Sequence, residues 1–272
     1  MTWLDVFRAK HLAGLAACVL GCLVLASAAQ ASQPALDAGQ APAFPEGQQG
    51  ALIAQGWRIF TDTPRYADQF VGNELSCASC HLAAGTQAGA APLWGAVPMY
   101  PRYQAKFRRV VTLEERMQQC FEFSEKGWQP PLDSQELLAL SAYAHWVSKD
   151  YPIGKLPKGA GLPVLPATGK DPDPIAGQAV YARSCMQCHA SNGQGLVQGH
   201  RVIFPPLWGL QSFASGAGMS RTDIAARFIW ANMPAGAPYS LTPQEAKDVA
   251  AYMELQLRAP DPRKGLLGWI SR

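Results

Sequence analysis

The sequence predicts an all-α protein of two similar domains joined by a linker rich in proline and glycine. The 272 residues contain an internal repeat, because each half carries a C-x-x-C-H motif followed by Pro-Leu-Trp-Gly. Apolar residues recur at helical spacing around both copies, and no stretch alternates with the period of a β-strand. These observations together predict two mostly helical domains.

The first element along the chain is a targeting segment, predicted over residues 1–31. A basic start at Arg8 and Lys10 precedes an apolar run, and Ala-Gln-Ala ending at residue 31 provides a cleavage site. These features predict a Sec-type signal peptide and a periplasmic protein. The run is short for a membrane span, so the mature chain is expected to have none. A lipobox-like Leu-Gly-Cys ending at residue 22 leaves a lipoprotein anchor as the minor alternative.

The two domains are expected at residues 48–150 and 175–262. Helical patterns at residues 52–60 and 177–183 lead into the two C-x-x-C-H motifs. Residues 151–174 are rich in proline and glycine and have no periodic apolar pattern, which is typical of a linker.

Each domain is expected to close with a helix whose amino-terminal cap is visible in the sequence. Thr242-Pro243-Gln244-Glu245 has the pattern of a capping box with proline at the first helical position. Ser134 stands at the equivalent place in the first domain. Apolar residues then recur at helical spacing in both segments.

The cysteines indicate the cofactor. Cleavage of the signal segment leaves an odd number, of which four lie in the motifs Cys77/Cys80/His81 and Cys185/Cys188/His189. In an exported chain this motif attaches haem c: both thiols add to the haem vinyl groups and the histidine binds iron. A redox dithiol and a zinc site are the alternatives, but zinc needs further ligands at short spacing. The sequence therefore predicts two covalently bound haem c groups in two cytochrome c-like domains.

The repeat also predicts the second ligand of each iron. Trp208 lies 25 residues before Met233, and Trp94 lies 26 residues before Cys120. The unpaired Cys120 thus occupies the place that Met233 has in the second domain. A methionine ligand favours a raised potential and electron transfer, whereas a thiolate lowers the potential and supplies a reactive sulfur.

Other side chains remain alternatives for these two ligand positions. For the second haem they are Met219 and His200, and for the first they are Met99, Met117 and His145. Sulfur and imidazole ligands are both chemically allowed at haem iron.

Basic residues gather in the sequence around Cys120. Arg116 precedes Cys120 by four residues and shares its face of a helix, and Ser124 follows by four. This pattern predicts either an ordinary solvated helix surface or an anion site above the first haem. The net charge of the whole chain is only +3, so nothing indicates a nucleic-acid partner.

Several stretches of the chain resemble a known family: residues 73–82, 84–86, the Tyr-Pro pair at 100–101, 116–122, 205–209, 212–213, 216–218 and 232–234. The most specific is Arg116 followed by Cys120-Phe121-Glu122. In these residues the sequence is similar to the thiosulfate dehydrogenases, dihaem enzymes that couple two thiosulfates into tetrathionate and are related to the haem subunit of the Sox system.

The resemblance implies a role for each iron ligand. His81 and Cys120 are expected to bind the iron of the first haem, which is the active site. His189 and Met233 are expected to bind the second, with the methionine as ligand in the reduced form, and to pass electrons outward.

The resemblance also implies basic residues that hold the substrate anions. Arg116 and Ser124 match the family pattern, and Lys106 stands where an arginine is usual. With Cys120 these residues form the expected catalytic set. Phe123 and Lys126 depart from the family pattern, which has arginine and asparagine at these positions; lysine keeps a charge but lacks the guanidinium fork that suits oxyanions.

The expected function is therefore oxidation of thiosulfate to tetrathionate, in a possibly reversible reaction. An external acceptor, such as a small cytochrome c or another high-potential redox protein, is expected to take the electrons. The alternative is a dihaem electron-transfer cytochrome, or a cytochrome subunit of another dehydrogenase, without a substrate of its own. A dihaem peroxidase is the third class, and it requires an open iron position.

Overall fold

The computed structural model describes residues 40–199 and 201–264, so the predicted signal peptide and His200 lie outside the described residues. The helices are α1 Gly47–Thr61, α2 Thr63–Tyr66, α3 Leu82–Gly85, α4 Leu93–Ala96, α5 Leu113–Phe123, α6 Gln135–Val147, α7 Pro174–Ser184, α8 Met186–His189, α9 Thr222–Asn232 and α10 Pro243–Glu254. Short 3₁₀ turns cover Asp68–Phe70, Cys77–Ser79, Val97–Met99 and Gly218–Ser220. The strands are β1 Arg102–Gln104, β2 Arg109–Val111, β3 Leu196–Gln198 and β4 Arg201–Phe204.

The core of the first half forms where α1 packs on α6. Ile53, Ile59 and Phe60 line the buried face of α1, at the spacing expected of an amphipathic helix. Leu140 and Tyr143 of α6 are buried in the same cluster. Tyr143 also connects α6 to α3, the short helix that follows the first C-x-x-C-H motif. Its hydroxyl donates to the carbonyl of buried Ala84 at 2.6 Å.

The second half repeats this arrangement with α7 and α10, to which α9 is added. Val180 and Tyr181 of α7 pack with Val249 and Met253 of α10, and Ile229 joins them from α9. The packing of α1 on α6 in the first half therefore corresponds to the packing of α7 on α10 in the second, as the sequence repeat predicts.

The predicted helix starts are confirmed. Thr242 caps α10 and forms a reciprocal capping box with Glu245, and proline occupies the first turn. The hydroxyl of Ser134 accepts from the amide of Leu137 at the start of α6. Each such cap stabilises its helix by about 1 kcal/mol. Thr112 and Glu115 form a further capping box at the start of α5.

The prediction of a mostly helical fold is confirmed, with a few short strands in addition. β1 pairs with β2 and β3 pairs with β4, so each half contains one short antiparallel hairpin. Each strand has only three or four residues, too few for period-2 alternation to show in the sequence. Within the described residues no helix has the length and apolar character needed to cross a membrane.

The predicted linker is an ordered connection that packs on both halves. Residues 151–173 contain no helix or strand. The amide nitrogens of Gly89 and Ala91 nevertheless donate to the carbonyls of Gly159 and Gly161, at 2.8 and 2.9 Å. Arg227 of α9 donates to the carbonyl of Pro163 at 2.7 Å. The described residues from both halves accordingly belong to one compact unit.

Two equivalent glycines allow the close helix contacts. A Cβ atom on Gly56 of α1 would lie 2.0 Å from the carbonyl oxygen of Ala139 in α6. One on Gly177 of α7 would lie 2.0 Å from the carbonyl oxygen of Asp248 in α10. Because both obstacles are backbone atoms, only a shift of the whole helix relieves them.

We expect Gly56→Ala to lower the free energy of unfolding by about 2 kcal/mol, the usual cost of overpacking. Guanidinium titration followed by circular dichroism measures this change. Gly236→Ala is the matched control, because a Cβ atom there meets nothing within 4 Å. Equal midpoints for the two variants would contradict the proposed helix contact.

Candidate functional site

The first C-x-x-C-H motif presents a histidine prepared for metal binding. His81 Nδ1 lies 2.6 Å from the carbonyl oxygen of Ala91, so this nitrogen carries the proton that is donated. Desolvation lowers the pKa of His81; the hydrogen bond with Ala91 opposes this shift, and the charge of Arg116 adds to it, so the net effect favours the neutral ring. The lone pair is then on Nε2, the arrangement seen where a histidine binds a metal and a carbonyl orients it.

The second motif has the same geometry. His189 Nδ1 lies 2.9 Å from the carbonyl oxygen of Pro205. Desolvation again lowers the pKa of the histidine, so the ring is neutral. Tyr181 fixes the end of the motif, because its hydroxyl donates to the carbonyl of Ala190 at 2.6 Å. Both halves thus orient their histidine through a carbonyl of the loop that follows.

The four motif cysteines suit thioether formation. None of them forms a disulfide, so each sulfur is available for a thioether bond to haem. Desolvation, followed in effect by the charge of Glu125, raises the pKa of Cys77 and brings that of Cys80 to about 12. Desolvation also raises the pKa of Cys185 to about 11. A zinc site needs further ligands beside each motif, and the described residues contain no group of three or more His, Cys, Asp or Glu side chains arranged to hold a metal ion. The donor set therefore fits haem c.

A large cavity adjoins the second motif. Its volume is about 1690 Å³, and its lining includes Cys185, Cys188 and His189. Met233 and Met219 both line it, so the cavity does not separate these two candidate ligands. Cys80 of the first motif lines this cavity too. The first haem-attachment site therefore lies beside the cavity that adjoins the second.

The predicted Arg116–Cys120 pair is present on α5. Arg116 Nη1 donates to Cys120 Sγ at 3.1 Å, as expected for residues four apart on one helix face. Asn73, four residues before Cys77, donates to the carbonyl of Ser124 at 2.8 Å, so the carboxyl end of α5 lies against the segment that leads into the first attachment motif. The pKa of Arg116 is raised, and the main cause is its interaction with Cys120, which favours the charged guanidinium.

Tyr100 joins this pair, although its role was missed in the sequence analysis. Its hydroxyl accepts from Gln104 Nε2 at 3.0 Å and lies close enough to Arg116 for the two groups to shift each other's pKa. Desolvation raises the pKa of Tyr100, so the hydroxyl keeps its proton. The residue belongs to the matched Tyr-Pro of the sequence, which is the signal that marks it. The site thus combines a thiol sulfur, a guanidinium and a neutral hydroxyl.

The alternative ligands for the first iron lie in other surroundings. His145 is exposed and turns its Nδ1 back toward the carbonyl of Ser141 at 2.8 Å. It lines a separate cavity of about 260 Å³. Met117 packs against the core of the first half, and Met99 ends a 3₁₀ turn.

Lys106 lies at the junction between the halves. Its Nζ donates to the carbonyl of Gly216 at 2.7 Å and stands 3.5 Å from the ring centre of Phe123. The pKa of Lys106 falls to about 8, first through desolvation and then through the charge of Arg263. Lys106 therefore contacts Gly216 and Phe123 rather than Cys120. Phe123, one of the two residues that depart from the family pattern, lies beneath its ammonium group.

The carboxyl end of α5 explains the second departure. Ser124 is the C-cap, and its amide nitrogen donates to the carbonyl of Cys120 at 2.8 Å. Lys126 has φ of 57°, the left-handed conformation that asparagine and glycine adopt most readily. The asparagine usual at this position therefore has a backbone explanation. Lys126 keeps that conformation and donates to the carbonyl of Leu210 in the other half.

Comparisons with known proteins agree with the geometry of both halves. The SoxA/TsdA cytochrome c domain matches residues 65–153, and the cytochrome c domain matches residues 175–256. The two matched domains, with their two attachment motifs, define a c-type cytochrome with two covalently bound haems.

Relatives similar along most of the chain specify the family. A thiosulfate dehydrogenase from Thiomonas intermedia is 46% identical over 92% of this chain and 85% of its own length. One from Allochromatium vinosum is 40% identical over 88% of this chain and 90% of its own. The chain belongs to the thiosulfate dehydrogenase family.

A solved structure agrees in fold. The thiosulfate dehydrogenase TsdBA from Marichromatium purpuratum, in its as-isolated form, is 42% identical with a TM-score of 0.78. The match covers 81% of this chain but only 49% of that one, so the chain spans about half of the solved relative.

Proposed function

We propose that this protein is a periplasmic dihaem cytochrome c that oxidises thiosulfate to tetrathionate at its first haem and passes the electrons through its second. The observation that carries the proposal is the contact of Arg116 with Cys120, beside the first haem-attachment motif. The family supplies the reaction, and the residues present suit its chemical demands.

The reaction joins two anions of like charge. Two thiosulfate dianions lose two electrons in total and form one sulfur–sulfur bond, and no proton is released. The repulsion between the dianions must be offset for the sulfur atoms to meet. Arg116 supplies a fixed cation at Cys120, and Tyr100 supplies a hydrogen-bond donor beside it. A guanidinium held in place before the substrate arrives costs little reorganisation during the reaction.

Each residue of the site has a proposed task. His81 and Cys120 are the proposed ligands of the first iron, and His189 and Met233 those of the second. When bound, the haems accept the electrons and deliver them to an external acceptor. Arg116 orients a substrate anion toward Cys120, while the hydrogen bond from His81 to Ala91 fixes the ring. Ser124, which caps the carboxyl end of α5, and Lys106 stay in the proposed catalytic set because of the family resemblance.

The proposed cellular location follows from the amino-terminal sequence. A basic start, an apolar run and Ala-Gln-Ala ending at residue 31 are the pattern of a cleaved export signal. Haem attachment through C-x-x-C-H agrees with export. The proposed acceptor is accordingly a periplasmic redox protein, such as a small cytochrome c.

A steady-state assay tests the function directly. Purified holoprotein should reduce ferricyanide with thiosulfate as donor, and tetrathionate should accumulate at one molecule per two electrons transferred. A protein that exchanges electrons with small cytochromes but is inert to thiosulfate and tetrathionate would instead be an electron carrier. Turnover of hydrogen peroxide alone would favour the peroxidase class.

We expect Met233→Ala to abolish the methionine–iron charge-transfer band of the oxidised protein, or the upfield methyl resonances of the reduced protein. The reason is that Met233 has the position in the second domain that Cys120 has in the first, and that Met233 and His189 line the same cavity. Met219→Ala is the matched control, because Met219 lines the same cavity. Loss of the signals in Met219→Ala and their retention in Met233→Ala would assign the ligand to Met219.

A further inference from the structure

A buried asparagine connects the surroundings of the two haem sites. Asn232 is the last residue of α9 and directly precedes Met233, and only 2% of it is exposed. Its Oδ1 accepts from Gln87 Nε2 at 2.8 Å. Its Nδ2 donates to the carbonyl of Gly89 at 3.1 Å and to that of Phe228 at 2.9 Å. The amide therefore uses both of its donors and its acceptor, and two of the three bonds reach the other half of the chain.

The partners of Asn232 belong to the loop that orients the first histidine. Gln87, Gly89 and Ala91 are in the segment between α3 and α4, and the carbonyl of Ala91 accepts from His81 Nδ1. One short loop thus contacts both the side-chain amide of Asn232 and the ring of His81. A continuous path leads from His81 through this loop to Asn232 and the adjoining Met233.

This loop has little freedom to move independently of α9. The predicted linker holds it on one side through the amide nitrogens of Gly89 and Ala91. On the other side Asn232 of α9 holds the loop, because it accepts from Gln87 and donates to the carbonyl of Gly89. The end of α9 is therefore hydrogen-bonded to the same loop whose Ala91 carbonyl orients His81.

We propose that Asn232 is a positioning residue that couples the ligand environments of the two haems. A carbonyl that accepts a hydrogen bond from a metal-binding imidazole sets the orientation and basicity of that ligand. The residue beside a methionine ligand sets where its sulfur lies. Because Asn232 acts on both, a change of state at one iron alters the other, and by linkage the coupling acts equally in both directions. The inference rests on the proposed ligation by His81 and Met233, and it is independent of the substrate.

Two substitutions on opposite sides of the contact test the coupling. Gln87→Met removes the donor to Asn232 but keeps the length of the side chain. We expect it to reduce the ratio of methionine-bound to unbound iron at the second haem by about fivefold, the lower end of couplings between linked sites. Asn232→Ala is expected to shift both the potential and the low-spin electron paramagnetic resonance signal of the first haem.

The control removes a hydrogen bond that a side-chain amide forms within one half of the chain. Gln256 Nε2 donates to the carbonyl of Tyr252 at 3.1 Å, so Gln256→Ala should leave the first haem unchanged. Spectroelectrochemistry reports both potentials without any thiosulfate, so a protein inert to thiosulfate still gives a result. If Asn232→Ala does not fold with both haems, Gln87→Met alone decides.

One outcome overturns the proposal: each substitution alters only the haem of its own half. If the unaltered protein shows no methionine signals, the proposed ligation by Met233 is wrong, and the effect of Gln87→Met on the second potential still decides whether the halves are coupled. Non-additive effects in the double variant Gln87→Met/Asn232→Ala would support a direct interaction, because independent sites give additive changes.

Discussion

Replacing Cys120 by glycine is expected to abolish thiosulfate oxidation, with a loss of kcat/KM of about 10⁴-fold, the range seen when a reacting side chain is removed. The change removes the sulfur that Arg116 contacts at 3.1 Å and that is the proposed ligand of the first iron. Both haems should stay attached, because their four attachment cysteines are untouched. A pyridine haemochrome assay verifies the haem content of the variant.

The spectroscopic result should follow the kinetic one. A thiolate ligand gives a low-spin ferric signal with compressed g-values, and Cys120→Gly should erase it. Retention of that signal would show that Cys120 is not the ligand. Retention of turnover would show that the sulfur takes no part in the reaction.

Cys120→Met separates ligation from catalysis. A thioether is expected to restore six-coordinate iron at a higher potential. It should not restore turnover, because a thioether lacks the charge and nucleophilicity of a thiolate. Full activity in this variant would leave Cys120 as a ligand only and would favour the electron-carrier function.

Features that depend on neighbouring residues could be predicted from the sequence. The cap at Thr242 and its bond with Glu245 join residues three positions apart. The contact of Arg116 with Cys120 joins residues four apart on one helix face. In both, the spacing along a helix fixes the spacing in space, so the sequence pattern alone carries the information.

Features that depend on how the two halves meet could not be predicted. Gln87 and Asn232 are 145 positions apart, and each is an ordinary polar residue in its local sequence. The repeat predicts that each half folds alike, but it holds no information about which surfaces come together. The coupling residue was therefore visible only in the structure.

Lys106 shows how a charge can be predicted while its partners are not. The resemblance indicated a cation near the substrate, in place of an arginine. The structure sets this cation over Phe123 and on the carbonyl of Gly216, which is 110 positions away. Arg263 approaches the same ring, at 5.4 Å from its centre. A cation over an aromatic ring is favourable, so Phe123 gives Lys106 a partner that the arginine usual at position 123 would not provide.

The charge of Arg116 should be nearly as important as the sulfur of Cys120. We expect Arg116→Ala to lower kcat/KM for thiosulfate by about 10²–10³-fold, as when a pre-oriented charge stabiliser is removed from an active site. Arg116→Lys should recover only part of the loss, because an ammonium group lacks the fork that binds Cys120 and an oxyanion together. Tyr100→Phe leaves the charge in place and removes one hydrogen bond, so its loss should be smaller than that of either arginine variant.

The control for these variants is another arginine of the same segment. Arg109 is exposed and pairs with Glu115 at 2.6 Å on the surface, so Arg109→Ala should keep full activity. Increasing salt should weaken a distant, screened charge far more than one in contact with the substrate. If Arg109→Ala and Arg116→Ala lose activity equally and both losses vanish at high salt, the basic segment acts by general attraction of anions. A loss confined to Arg116 that persists at high salt means that its guanidinium contacts the thiosulfate at Cys120.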